Sequence, residues 1–260
     1  MEKIEIKDVD SENVEDLINL CIPSDKRDDP LFIEGARVKK RWATQMMKSY
    51  GVFSKLAYIE SEPVGMIQYQ PKQEKVIEIT CIFVPEKKNL RKGIGRALLR
   101  ALIDEMHRPK SYFNNEHPSA LVTWAFQVPG TYPQHEFYQK MGFKRMRGDD
   151  PFLLYYPLKE GYIYAPKSKK YIPQEEDKGK ALIFYDPSCP SCIYFTEKIK
   201  ESIREIAPEI PIRVINQFEE EEEVRKRGKV SFCMVNQRFI ESFFMDKENF
   251  QKEVMKAVKT

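Results

Sequence analysis

The sequence predicts an α/β (α+β) chain of two domains, residues 1–158 and 181–260, joined by a linker over 159–180. Three observations carry this. An apolar, β-rich run at 76–84 leads through a basic, glycine-containing turn into a segment whose apolar residues recur at helical spacing. At Lys159 to Lys180 periodicity stops, and Gly161, Pro166, Pro173 and Gly179 appear among many charges. From Ala181 onward, short apolar runs and amphipathic segments alternate in the order β-α-β-α-β-β-α.

In the first domain, Lys3 to Ile6 alternates as a strand, and Asp10 or Ser11 can cap a helix carrying Val14, Leu17, Ile18 and Cys21. Ser24 to Pro30 is a polar turn before a long helix, Leu31 to Tyr50, stopped by Gly51. Val52 to Glu60 and Val64 to Gln70 read as strands joined by Ser61-Glu-Pro63, and Val76 to Val84 pairs next. Then comes Val84-Pro-Glu-Lys-Lys-Asn-Leu-Arg-Lys-Gly-Ile-Gly-Arg-Ala-Leu-Leu99, followed by Leu102, Ile103 and Met106 on one helix face. Gly93 and Gly95 have no Cβ, so a ligand can come close to the backbone there. The first amides of a helix lack internal partners, and its dipole favours an anion at that end. Arg91, Lys92 and Arg96 add full charge, which makes the turn a phosphate cradle. A tight turn with solvated basic residues is the plainer reading. The spacing excludes a nucleoside-triphosphate loop, and Leu98 occupies the place of the third small residue of a dinucleotide fingerprint.

Further on, Ser111 to Pro118 is a polar loop and Leu121 to Phe126 a buried strand. Pro133 suits the start of a helix that ends in Glu136-Phe-Tyr-Gln-Lys-Met-Gly-Phe143, and Phe143 to Met146 and Phe152 to Leu158 finish the sheet. The basic turn and this second stretch together resemble the GNAT acetyltransferases. In that family the helix after the fourth strand opens with Gln/Arg-x-x-Gly-x-Gly/Ala, and a later helix ends in Phe-Tyr-x-x-x-Gly-Phe. The resemblance covers roughly residues 1 to 157. Leu90 stands where the family has Gln or Arg, with Arg91 one place late, the loop Pro85 to Gly93 is longer than usual, and Gly130-Thr131 replaces a common Asn.

What this resemblance implies is specific. The sheet is mixed and mostly antiparallel, flanked by helices. By this resemblance the protein would be an N-acetyltransferase that moves an acetyl group from acetyl-CoA to a primary amine on a small molecule or peptide. The pyrophosphate lies on Arg91, Lys92, Gly93, Ile94, Gly95 and Arg96. The pantetheine arm pairs along Ile82, Phe83 and Val84, where a backbone amide can donate to the developing oxyanion. Glu78 holds the place of a general base found in some members, against the reading of a solvent-facing strand glutamate. Tyr138 holds the place of the acid that protonates the leaving thiolate, against a packed aromatic with its hydroxyl on the cofactor. The first two helices line the acceptor side in this family, which makes Arg37, Arg41 and Trp42 candidates for acceptor contact or for a solvated helix face.

The linker also holds Tyr162, Ile163, Tyr164, Tyr171 and Ile172, more apolar surface than a free linker needs, so it should be strapped onto a domain. In the second domain, Ala181 to Tyr185 is a strand, Cys189-Pro-Ser-Cys192 opens a helix running to Ile206, and Pro211 to Ile215 is a strand. Glu219 to Arg227 is a helix whose charge order matches its dipole and gives i,i+4 pairs. Val230 to Val235 and Arg238 to Phe244 form a hairpin around Asn236-Gln237, and Lys247 to Val258 is the last helix. This order, with Cys-x-x-Cys at the first helix, resembles a small thioredoxin or glutaredoxin fold, and the pairing of domains resembles the YoaP-type acetyltransferases. The resemblance makes Cys189 the nucleophile and Cys192 the resolving thiol of a redox pair. Ser231 stands at the place of the usual cis-proline, which leaves metal capture or idle thiols open, and Cys233 reads as core. The second domain would then shape the acceptor site or gate it by thiol state. The competing reading is an acyl-CoA-binding thiol or metal sensor acting through Cys189 and Cys192.

With 42% hydrophobic and 32% charged residues the chain is suited to packed domains. A net charge of +3 without a long basic run argues against nucleic acid. No apolar stretch reaches the roughly 20 residues of a membrane span, and Met-Glu-Lys-Ile-Glu-Ile lacks a signal peptide's apolar core. Five cysteines are too few and too uneven for a disulfide scaffold, so the expected location is cytoplasmic. His107, His117 and His135 show no metal-ligand spacing and read as surface or structural, so no residue is assigned as a metal ligand. A homodimer is compatible with the sequence.

Overall fold

The computed structural model describes residues 3–125, 132–146, 150–165 and 170–259. Phe126, Gly130, Thr131, Pro166 and the Lys167-Ser-Lys stretch lie outside them. The chain divides into two compact units, Met1–Cys21 with Thr44–Pro166, and Ile22–Ala43 with Lys167–Thr260.

The first unit begins with β1 (Glu5–Asp8) and α1 (Val14–Leu20). The long helix α2 (Pro30–Tyr50) follows, its stretch 30–43 grouping with the second unit. Then come β2 (Ser54–Ile59), β3 (Glu62–Lys72), β4 (Val76–Phe83), α3 (Ile94–Met106), β5 (Ala120–Trp124), α4 (Gln134–Lys140), β6 (Lys144–Arg145) and β7 (Leu153–Pro157). They build a seven-stranded sheet in the order β1-β2-β3-β4-β5-β7-β6. Only β4 and β5 run parallel, so the sheet is mixed and mostly antiparallel as expected.

The β2–β3 turn falls at Glu60-Ser61, one residue earlier than the sequence suggested. Both residues have positive φ (50° and 68°), the form that matches strand twist in a two-residue hairpin. Pro63 lies inside β3, where the register shifts between Ala57 and Tyr58, a place that tolerates a residue with no N–H. Strand β5 stops at Trp124, whose side chain is exposed rather than buried.

Helix α3 buries Ile94, Leu98, Leu99, Leu102, Ile103 and Met106 against Ile67, Tyr69, Ile77, Ile79 and Leu121 of the sheet. Each such side chain contributes about 1.5–3 kcal/mol. Gly65 permits this seat: a Cβ there would stand 2.8 Å from Cγ2 of Ile94. On the opposite face Val76, Val122 and Tyr155 pack with Tyr162 and Tyr164.

Beneath the end of α3 lies a charged cluster. Glu105 accepts from Lys110 at 2.5 Å and from the Tyr69 hydroxyl at 3.0 Å, and Lys55 reaches it at 2.6 Å while also pairing with Asp8. Burial pushes the Glu105 carboxyl up, but the hydrogen bonds from Lys110 and Lys55 outweigh it and hold the group below the usual glutamate range.

The second unit contains β8 (Ala181–Tyr185), α5 (Cys192–Arg204), β9 (Ile212–Asn216), α6 (Glu221–Arg227), β10 (Cys233–Val235), β11 (Arg238–Phe239) and α7 (Lys247–Val258). Its sheet runs β11-β10-β8-β9, with β8 and β9 parallel and the other pairs antiparallel. Ile199 and Ile203 of α5 and Phe250 and Val254 of α7 cover one face. Tyr171, Val224 and Phe239 pack on the other. The hairpin turns at Asn236-Gln237, both at positive φ, but its strands are shorter than expected. Phe243 lies off the ladder, and Phe232, whose carbonyl still accepts from the Phe184 amide at 3.0 Å, joins it in an aromatic cluster with Phe195 and Phe244. In α6 the expected pairs are present, among them Glu221–Arg225 and Glu223–Arg227. Residues 170–178 are strapped to this unit. The Ile172 amide donates to the Arg227 carbonyl, and the buried Arg227 guanidinium makes two bonds to Asp177 at 2.6 and 2.7 Å.

Replacing Glu105 by Gln should cost about 2 kcal/mol in urea denaturation at neutral pH, because half-buried Lys110 loses its carboxylate partner and buried Lys55 is left with Asp8. Since the folded carboxyl titrates below its unfolded value, this deficit relative to wild type should be full above the ordinary glutamate range. It should fade as pH falls through the lowered folded value.

Candidate active site and thiol turn

The parallel pairing of β4 and β5 runs from Val76–Ala120 to Ile79–Thr123 and ends there. Beyond that point β4 follows β3 to Phe83 while β5 follows β7, so among the described residues Thr80 to Phe83 has a strand partner on one side only. The register passes from Tyr69–Ile79 to Gln68–Cys81, leaving Thr80 as a bulge. A bulge bends its strand and increases its twist, which opens the gap. It also resets the alternation, so Ile79 and Ile82 pack toward the same core.

At the vertex the Thr123 hydroxyl donates to the Ile79 carbonyl at 3.1 Å. The Tyr138 hydroxyl is in hydrogen-bond contact with the same threonine side chain. The Tyr138 ring is 1% exposed, between Phe137 and Phe143 at centroid distances of 5.3 and 4.9 Å. Burial pushes its phenol well above the usual range, so it is protonated at neutral pH. Gly142 explains the rest of its motif. With φ +93° it ends α4 and turns Phe143 back onto Tyr138, the Phe143 amide donating to the Tyr138 carbonyl at 3.0 Å.

The basic turn lies at the open end of β4. Gly93 has φ +88°, and the first intrahelical bond of α3 runs from Ala97 to its carbonyl. The amides of Ile94, Gly95 and Arg96 therefore stand ahead of the helical ladder. Arg91, Lys92 and Arg96 are exposed. A Cβ on Gly95 would reach Phe137 at 3.5 Å and Ile82 at 3.8 Å, ordinary contact distances, so packing alone does not demand glycine there. These distances bring together the turn, the strand residue Ile82 and the helix carrying Tyr138. Phe83 is exposed and Val84 half-buried beside them.

Glu78 occupies the other face, since β4 alternates and its neighbours Ile77 and Ile79 face the Tyr138 core. Its carboxylate accepts from Gln70 at 2.9 Å and from Lys72 at 2.5 Å. Tyr164 stands nearby, its phenol raised by burial and then by the charge of Glu78. On α2, Arg37 is exposed and paired with Glu34, Arg41 is exposed, and Trp42 is buried.

In the second unit α5 begins at Cys192, later than expected, and Cys189 lies in the preceding turn, its carbonyl accepting from the Cys192 amide at 3.1 Å. Cys189 is exposed and Cys192 buried, and neither is in a disulfide. Burial, then the charges of Cys189 and Asp186, push the Cys192 thiol up to about 12. Cys233 lies in the core of the sheet, its thiol pushed up to about 12 by burial and then by Glu253. Among the described residues no group of three or more His, Cys, Asp or Glu side chains is arranged to hold a metal, and no helix is long and apolar enough to cross a membrane.

Sequence reading did not single out Thr123, the bulge at Thr80, or Gly35. Thr123 looked like one residue of an apolar strand, and a bulge leaves no local pattern. Gly35, a glycine inside a helical pattern, was the one legible signal.

Residues 51–145 match the family model described as acetyltransferase (GNAT) domain, and this segment is a GNAT acetyltransferase domain. No curated protein matches the chain in sequence. Among solved structures, the PaiA N-acetyltransferase of Thermoplasma acidophilum in complex with coenzyme A is 20% identical, over 60% of this chain and 99% of that one, with a TM-score of 0.43. A GNAT family acetyltransferase from Brucella melitensis in complex with acetyl-CoA is 12% identical, over 65% and 95%, with a TM-score of 0.43. The ribosomal-protein-S18-alanine N-acetyltransferase of Escherichia coli is 14% identical, over 62% and 100%, with a TM-score of 0.40. At these TM-scores the structural likeness by itself decides nothing.

The two thiols should separate in alkylation mapped by mass spectrometry. Cys189 should react at neutral pH, and Cys192 only as pH approaches about 12, where its thiolate forms. Equal labelling of both at neutral pH would contradict this assignment.

Proposed function

With residues 51–145 a GNAT acetyltransferase domain, we propose that the chain is an N-acetyltransferase that moves the acetyl group of acetyl-CoA to a primary amine of a small molecule or peptide. The observation that carries this reading is the parting of β4 and β5, with Tyr138 at its vertex and the basic start of α3 at its mouth. Acetyl-CoA supplies the acyl thioester. Arg91, Lys92, Arg96 and the amides from Gly93 to Arg96 hold the pyrophosphate, where partial and full positive charges add. The one-sided edge of Ile82, Phe83 and Val84 offers backbone groups to the pantetheine amides and aligns the thioester.

Tyr138 keeps its proton at neutral pH and would donate it to the leaving sulfur of a bound acetyl-CoA. Glu78, on the opposite face of the strand and already accepting from Gln70 and Lys72, would take the proton of the attacking amine directly or through water.

The second unit is a thioredoxin-like module that shapes the acceptor site or gates it by thiol state. Its element order, its sheet order and the Cys-Pro-Ser-Cys turn at the start of α5 support the first part of that reading. The grouping of 22–43 with this unit supports the second, because the family resemblance assigns those residues to the acceptor side.

The test is release of free CoA thiol with a panel of primary amines, for wild type and Tyr138→Phe. The substitution should lower kcat about a hundredfold or more while KM for acetyl-CoA stays within about twofold. Unchanged kcat would remove Tyr138 from the reaction, and no turnover with any amine would contradict the acetyltransferase reading.

A further inference from the structure

Within the second unit the thiol turn is covered on one side. Pro190, between the two cysteines, is buried, although Cys189 next to it is exposed. What covers it is α2. A Cβ on Gly35 would lie 1.8 Å from the Pro190 carbonyl oxygen and 2.8 Å from its carbon, so any other residue there would force the helix off the turn. A glycine inside a helix costs about 1 kcal/mol relative to alanine, and this close approach is what the position gains from it. One helical turn earlier, buried Phe32 stacks on Tyr194 of α5 with ring centroids 5.3 Å apart and planes 34° apart. Residues three apart share a helix face, so Phe32 and Gly35 present one surface to Pro190 and Tyr194.

We propose that the Cys189–Cys192 turn is a docking site occupied in cis by the first half of α2, which leaves Cys189 open to small disulfides and closes the turn to protein disulfides. The inference stands apart from acetyl transfer. A protein disulfide that docks for attack by Cys189 covers up to about 600 Å² of surface around that sulfur, the size of a transient redox encounter, and the Pro190–Tyr194 side of that surface is taken. A small disulfide needs only a path to Cys189. The Cys189 thiolate then attacks one sulfur of the disulfide RS–SR, giving the Cys189–SR mixed disulfide and releasing RS⁻. Cys192, whose buried thiol is held up to about 12, gives up its proton as its sulfur attacks Cys189, a step that is slow at neutral pH and quickens as pH rises; it releases a second RS⁻ and closes the Cys189–Cys192 bond, so the protein thiols are oxidised and the disulfide reduced.

The experiment uses the reduced full chain, with Cys189→Ser to assign the reacting thiol. Two rates are read: reaction with 5,5′-dithiobis(2-nitrobenzoate), and reduction of the disulfides of insulin. Hydrogen exchange of residues 187–195 reports docking. Wild type should react with the small disulfide through Cys189 and should not reduce insulin above the Cys189→Ser level. Phe32→Ala, which removes a ring without touching the backbone, should raise exchange at 187–195 and increase insulin reduction about tenfold, with the small-disulfide rate within about twofold. Gly35→Leu should do the same if circular dichroism shows it folded, and Phe32→Ala carries the test if it is not. Insulin reduction by wild type at the variant rate, unchanged exchange in Phe32→Ala, or raised exchange without any gain in insulin reduction would each overturn the proposal.

Discussion

The hydrogen-bond ladder between two parallel strands holds only while the strands keep one direction, and here it ends at Ile79 and Thr123. The rest of the first unit depends on that termination. Because Thr80 is a bulge, β4 bends there, and among the described residues its last residues have no strand partner on the β5 side. Because Thr123 still bonds to Ile79, the vertex stays closed below the gap. The aromatic wedge of Phe137, Tyr138 and Phe143 is positioned against it by the left-handed Gly142. Gly65 brings the start of α3 down onto β3, which sets the basic turn at the level where the strands part. Loss of the ladder over a few residues thus places charge, open backbone and a protonated phenol around one gap.

Much of this was legible in the sequence for a physical reason. Gly93 and Gly142 sit where the chain must take positive φ, and a glycine at such a place marks itself. The apolar face of α3 follows a period that survives without knowledge of its partner. The charge order of α6 announced its own pairs. The bulge at Thr80 and the role of Thr123 were not legible, because both are set by which strand lies alongside and not by neighbours in sequence. The short strands of the second hairpin have the same origin: Phe243 is as β-prone as any strand residue, but it finds aromatic partners off the ladder.

In the second unit, long-range partners again decide what local pattern leaves open. The segment after residue 158 looked like a linker with too many aromatic residues. Tyr162 and Tyr164 finish one core, while Tyr171 packs with Val224 and Phe239, and Asp177 bonds the buried Arg227 of α6. A guanidinium with no exposed surface is tolerated because Asp177 meets it with both oxygens and Glu223 with a third bond. Gly35 belongs to the same class, its reason lying on Pro190, far along the chain.

The central claim is that the gap between β4 and β5, with the basic start of α3, is an acyl-CoA site. The most direct measurement is calorimetric titration of the full chain with acetyl-CoA, beside a titration with desulfo-CoA and one with a Gly95→Leu variant. The account predicts saturable one-to-one binding of both ligands to wild type, because pyrophosphate and pantetheine arm supply the contacts, and a strong loss in the variant, whose added side chain fills the approach to the backbone. No binding of either ligand to wild type, or full binding by Gly95→Leu, would contradict it.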